Sequence, residues 1–242
     1  MTVPPERRFA DALLKAREEW AAADAAASAA RAGCTLTEGG VLVPLFGRPY
    51  LVAHPGGEVM VGRAGRDQAA PADAGESARP GGPPDLGAPA PPDGPTDLGA
   101  PAHIAVAILL LHYLLLADGA APAGSWSAYR ELPDGLFYAA SFAGRAETPL
   151  TRAFAGSPAD LDVFRTAARA AGGDALTLGD ASFRFVALPR VDVAVLVWAG
   201  DDEEAGEARM LFDANAGHYL PAEDLAGLGG QLAHRLAAAA RA

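Results

Sequence analysis

Cysteine is nearly absent from this chain of 242 residues: Cys34 stands alone. A single thiol excludes an intrachain disulfide and leaves a four-cysteine zinc or iron–sulfur site without ligands. Lysine is as scarce, Lys15 being the only one, and every other basic residue is arginine. Acids outnumber bases, 30 against 19, for a formal net charge of −11. That balance argues against a nucleic-acid binder, whose footprint is a basic stripe. It also argues against docking on an anionic membrane surface. The first 24 residues lack a basic-then-apolar leader and carry Glu6, Asp11, Glu18 and Glu19. No secretory signal is read, and the cytoplasm is the expected compartment. A Gly-x-Ser-x-Gly elbow, a His-Glu-x-x-His pair and a phosphate-cradling glycine loop are missing as well, so no motif names a reaction.

What is present begins with residues 103–117, apolar throughout except for His103, His112 and the Tyr113 hydroxyl. A helix apolar on every side is buried, and this one is shorter than the roughly 20 residues a bilayer span requires. Residues 4–32, rich in Ala, Glu and Arg, read as one helix stopped by Gly33. Residues 34–61 read as a meander of three or four short strands punctuated by glycine and proline. Residues 62–102 are dense in Pro, Gly, Ala and Asp, and Asp85–Ala90 recurs as Asp97–Ala102. Such a composition buries too little apolar surface to offset its ordering entropy, and it is read as a disordered insert. Further on, helices are expected over 136–145 and 158–171, strands over 182–187, 191–198 and 208–212, and a last helix to about residue 240. The expected class is α+β: antiparallel strands packed around a buried central helix. Residues 1–33 form an N-terminal helix, and 34–61 with 103–242 form one domain that the insert interrupts.

The candidate ligand-binding residues are His112, Tyr113, Trp126, Tyr129, Arg130, Glu131, Tyr138 and Arg145, which concentrate aromatic rings, an imidazole and guanidinium groups. The plainer reading of His112 and Tyr113 is a core histidine bonded to a backbone carbonyl with a tyrosine packed beside it; the polar residues expected around the imidazole come from the 126–145 stretch. Asp201, Asp202 and Glu203, at an expected hairpin tip, are a weak candidate for a hard cation; a solvated acidic tip is the plainer reading.

The run Leu109-Leu-Leu-His-Tyr-Leu-Leu, Gly124-x-Trp126 with Tyr129-Arg-Glu-Leu-Pro, then Tyr138, Arg145 and Gly172-Gly173 resembles an uncharacterised prokaryotic family, domain of unknown function 3786. Trp198-x-Gly-Asp-Asp-Glu, Leu211-Phe-Asp213 and Tyr219-Leu-x-x-Glu-Asp224 fit the same pattern. Relatives found beside iron–sulfur-binding segments imply a redox or corrinoid context. This chain departs from that pattern with one cysteine and with Ala205-Gly206 after the acidic run, so no iron–sulfur cluster is expected from this chain alone. The leading functional reading is a soluble small-molecule- or cofactor-binding or accessory protein with an aromatic–arginine pocket. Two alternatives stand beside it: a metal- or His112-dependent hydrolase or transferase, and a protein-interaction subunit without a ligand.

Overall fold

Alternating apolar residues, short glycine turns and one long apolar helix divide the chain into two antiparallel sheets and their covering helices. The computed structural model describes residues 5–62, 98–201 and 203–241. Helix α1 (Pro5–Ala22) and helix α2 (Ala25–Ala32) replace the single helix expected over 4–32. The break falls at Asp24, whose side chain accepts from the Ala26 and Ala27 amides and caps α2, the local bonding that favours aspartate at helix starts. Gly33 ends α2 with φ +67°, as a left-handed glycine cap does.

The first sheet runs in sequence order: β1 (Thr35–Thr37), β2 (Gly40–Leu45), β3 (Arg48–Ala53), β4 (Val59–Gly62) and β5 (Leu98–Pro101). Strand β5 corrects the expected insert boundary. Gly62 and Leu98–Pro101 belong to paired strands, and the second copy of the duplicated hexapeptide supplies β5. Strand pairing uses the backbone, so β4 can recruit a partner that composition marks as loop. The remaining insert, residues 63–97, lies outside the described residues.

Helix α3 (Ile104–Leu116) begins after His103, whose ring nitrogen accepts from the Ala105 amide and caps it. Its residues 107–111, 113 and 114 are buried, and α1 and α2 pack against it. Beyond it come β6 (Trp126–Ala128), α4 (Gly135–Phe142), a π turn (Ala143–Glu147), α5 (Thr148–Phe154), α6 (Pro158–Ala170) and β7 (Asp174–Leu176). Then follow β8 (Ala181–Leu188), β9 (Val191–Trp198), β10 (Glu207–Asp213) and α7 (Ala222–Ala239). The second sheet is ordered β6-β10-β9-β8-β7, which puts the apolar β9 at its centre. Phe183, Phe185, Val193, Val195, Met210 and Phe212 point to one buried face, and Arg184, Asp192 and Arg209 to the other, as the period of two requires. One apolar core joins both sheets and the helices. The architecture is α+β, and among the described residues no helix is long and apolar enough to cross a membrane.

Two details of the second sheet bear on function. Strand β6 covers only Leu211–Asp213 of β10. Further along that edge the Ala208 amide donates to Thr151 Oγ1 at 3.0 Å and the Met210 amide to Glu147 Oε1 at 3.1 Å. Side chains of the π turn and α5 thus stand in for a missing strand. The Asp213 carboxylate, buried at the end of β10, accepts from the amides of Ala123, Gly124 and Asn215, each at 2.9 Å. With the Asn215 side chain bonded to Ala121 O and the Tyr219 hydroxyl to Ala120 O, it holds the connection from α3 to β6 in place.

Candidate functional site

Among the described residues, none of those selected from sequence lines either cleft beside the β2–β3 turn. Tyr113 is fully buried; its hydroxyl donates to Ala32 O at 2.6 Å and accepts from the Arg190 amide at 3.1 Å. Burial pushes its pKa well above the ordinary phenol value, so it is a core strut. Tyr129 is buried too, donating to Ala222 O at 2.7 Å and stacked on Phe142 with centroids 4.1 Å apart. Burial raises its pKa to about 12. Trp126 is half-buried in β6. Arg130, Glu131, Tyr138 and Arg145 are exposed, and Glu131 spends a carboxylate oxygen on the Ala128 amide.

The partner of His112 comes from the last helix and not from the 126–145 stretch. Its Nδ1 lies 2.6 Å from Asp224 Oδ2. The bond to Asp224 raises the imidazole pKa against the opposing effect of burial, with further support from Glu19 and Glu223. A second pair, His218 Nδ1 with Asp118 Oδ2 at 2.5 Å, joins the same two segments of chain. Asp201 Oδ1 accepts from the Glu203 and Glu204 amides at 2.8 Å each, and these bonds lower its pKa. Asp202 lies outside the described residues. Among the described residues no group of three or more potential metal ligands assembles. The Cys34 thiol is pushed up to about 12 by burial.

The cleft that does form lies between the β2–β3 turn and α7, and has a volume of about 430 Å³. Leu45, Phe46 and Tyr50 line it from the hairpin. Gly227, Gly230, Gln231, His234 and Arg235 line it from one stripe of α7, at the i, i+3, i+4, i+7 spacing of a helix face. A Cβ at Gly227 would meet nothing within 4 Å, and one at Gly230 would meet only Arg145 Cβ at 3.9 Å. Packing does not require glycine there, although each interior helical glycine costs about 1 kcal/mol relative to alanine. Gly229 is different, since a Cβ there would press on Phe142 and Met210.

Arg235 is the chemical centre of the cleft. Its guanidinium lies over the Phe46 ring, 5.1 Å from the centroid, and donates to Phe46 O at 3.3 Å. Burial lowers its pKa, and the nearby charge of Arg48 adds to the effect. Among the described residues no carboxylate pairs with it. Phe46 itself has φ +47°, and Gly47 follows at +73°, the paired positive angles of a tight two-residue hairpin turn in which Asn-Gly is the usual choice. A non-glycine residue in that region stores about 1–3 kcal/mol. The strained turn is pinned by the Phe46 amide donating to Ala187 O at 2.8 Å. A second cleft of about 750 Å³ is lined by the turn residues Phe46 and Gly47, by Arg48, Pro49 and Val61, and by the small residues of β5.

The model of a family described as Domain of unknown function (DUF3786) matches residues 91–235, more than half of the chain. The chain belongs to this family. No curated protein and no solved structure matches it. The matched span contains α3, the second sheet and the α7 wall of the cleft; the Phe46 and Tyr50 wall precedes it. Tyr129, Asp213 and Tyr219, all within the matched span, spend their polar atoms on backbone groups. They shape the domain rather than a reactive centre. The cleft was missed in sequence because its two walls are 189 positions apart at the Arg235–Phe46 contact. The one local signal was Phe46 before a turn glycine.

Proposed function

We propose that this protein binds an anionic small molecule in the cleft between the β2–β3 turn and α7. The observation that carries the reading is Arg235, a half-buried guanidinium with no acidic partner among the described residues of a chain with net charge −11. A guanidinium carries five donors in a planar fork that matches carboxylate or phosphate, and only one acceptor, Phe46 O, is in place. Tyr50, Gln231 and His234 add polar atoms, while Leu45 and Phe46 offer apolar contact. Aromatic and arginine residues thus make a pocket, at positions other than those selected from sequence. The cytoplasm suits a protein with a single cysteine, and nothing in the cleft favours a nucleic acid. Native mass spectrometry of the purified protein, followed by calorimetric titration with phosphate and short carboxylates, tests the reading. Arg235→Ala should abolish binding, and Arg165→Ala, which removes a half-buried arginine paired with Asp162 outside the cleft, should leave it intact. Equal binding by the Arg235→Ala protein would overturn the proposal.

A second reading, an accessory subunit that docks on a partner protein, draws on α4. Leu136, Phe137 and Tyr138 are 71%, 83% and 43% exposed, between the exposed Arg130 and Arg145. Consecutive large apolar residues left open to solvent are unusual on a monomer.

A further inference from the structure

Resting on the anion-binding reading above, we infer the class of ligand: a short molecule with two anionic ends, one held by Arg235 and the other by Arg48, its middle crossing Phe46. The two clefts share Phe46, which ties one to the other. Arg235 lines the first cleft and Arg48 the second. Each guanidinium rests on an aromatic face, Arg235 over Phe46 at 5.1 Å and Arg48 over Tyr50 at 5.9 Å. Stacking occupies the flat face of a guanidinium and leaves its in-plane N–H donors free for a carboxylate or phosphate.

The surroundings favour two charges over one. None of the described residues lining either cleft is acidic, although the chain carries 30 acids. The charge of Arg48 adds to the cost of charging Arg235. A monoanion at Arg235 leaves Arg48 without a counter-charge among the described lining groups, whereas a ligand with an anion at each end supplies both. The second cleft is walled by Gly47, Gly62, Gly99 and Ala100, which bring no functional side chain, so Arg48 is its one charged lining group among the described residues. The Phe46 ring common to both clefts calls for a methylene or aromatic middle, since burying a polar middle there would leave it unpaired.

Calorimetric titration of the full chain at constant ionic strength separates the outcomes. The probes are propionate, the α,ω-diacids from malonate to adipate, and inorganic phosphate. One diacid of suitable length should bind at least about tenfold more tightly than propionate, since it adds a second charge-assisted pair. Arg48→Ala, an exposed position, should bring that diacid down to the propionate level and leave propionate unchanged. Arg235→Ala should weaken every probe. If all diacids match propionate, if compact phosphate matches the best diacid, or if Arg48→Ala changes nothing, the two-ended ligand is wrong while the anion site stands. If no probe binds, both fail.

Discussion

Asp213 shows how much a single side chain can carry. Its two oxygens take three backbone amides from two separate loops, and it is 3% exposed. Asn in its place keeps the shape but turns an N–H toward one of those donors and removes the charge. We expect Asp213→Asn to lower the unfolding free energy by about 1–3 kcal/mol, measured by urea denaturation. An unchanged midpoint and slope would show that water serves the amides as well. Little at this scale could be read beforehand. Asp213 follows the strand expected over 208–212 with no local sign of the amides it binds, and the role of His112 depended on a partner 112 positions away. Tyr113 was legible as a core residue because its helix is apolar, but not its bonds to Ala32 and Arg190. Side-chain partners are set by tertiary placement, which local pattern does not encode.

At the scale of elements, α3 and the segment entering α7 are joined by two imidazole–carboxylate pairs, and their sign can be worked out. The pKa of His112 is raised by Asp224. Its contribution is therefore fully present below the unfolded imidazole value, about 6.5, and is lost as pH rises through the folded value. The pKa of Asp118 is lowered, mainly by His218. That contribution is present above the unfolded carboxylate value, about 3.9, and is lost as pH falls through the folded one. Both pairs are thus complete only in mildly acidic solution. The melting-temperature difference between the wild type and Asp224→Asn should be larger at pH 6 than at pH 8.5. A difference independent of pH would assign the pair no ionic role. Elements were the most legible level: hydrophobic period located α3, α6, β8, β9 and α7 to within a few residues. The misses have local causes. Asp24 caps a new helix where alanine-rich sequence reads as continuous, and β5 forms because β4 offers a free edge.

For the whole molecule, the class followed from strand and helix order, but the cleft did not, because a turn near the start and a helix near the end build it together. Strands β4 and β5 pair on either side of residues 63–97, so a short connection can join Gly62 to Leu98. We propose that those residues are dispensable for folding. Replacing 63–97 with a short Gly-Ser linker should change the melting temperature by only a few degrees in calorimetry, and failure of the shortened chain to fold would refute this. The borrowed edge of β10 has a consequence of another kind. Glu147 and Thr151 occupy the amides of Met210 and Ala208 that would otherwise stand open to any passing strand. A stretch of edge closed by side chains in this way cannot be extended by a neighbouring chain. The π turn that brings Glu147 to its place therefore guards this stretch of β10: were it to straighten, the freed amides would offer a second copy of the chain a place to pair edge to edge.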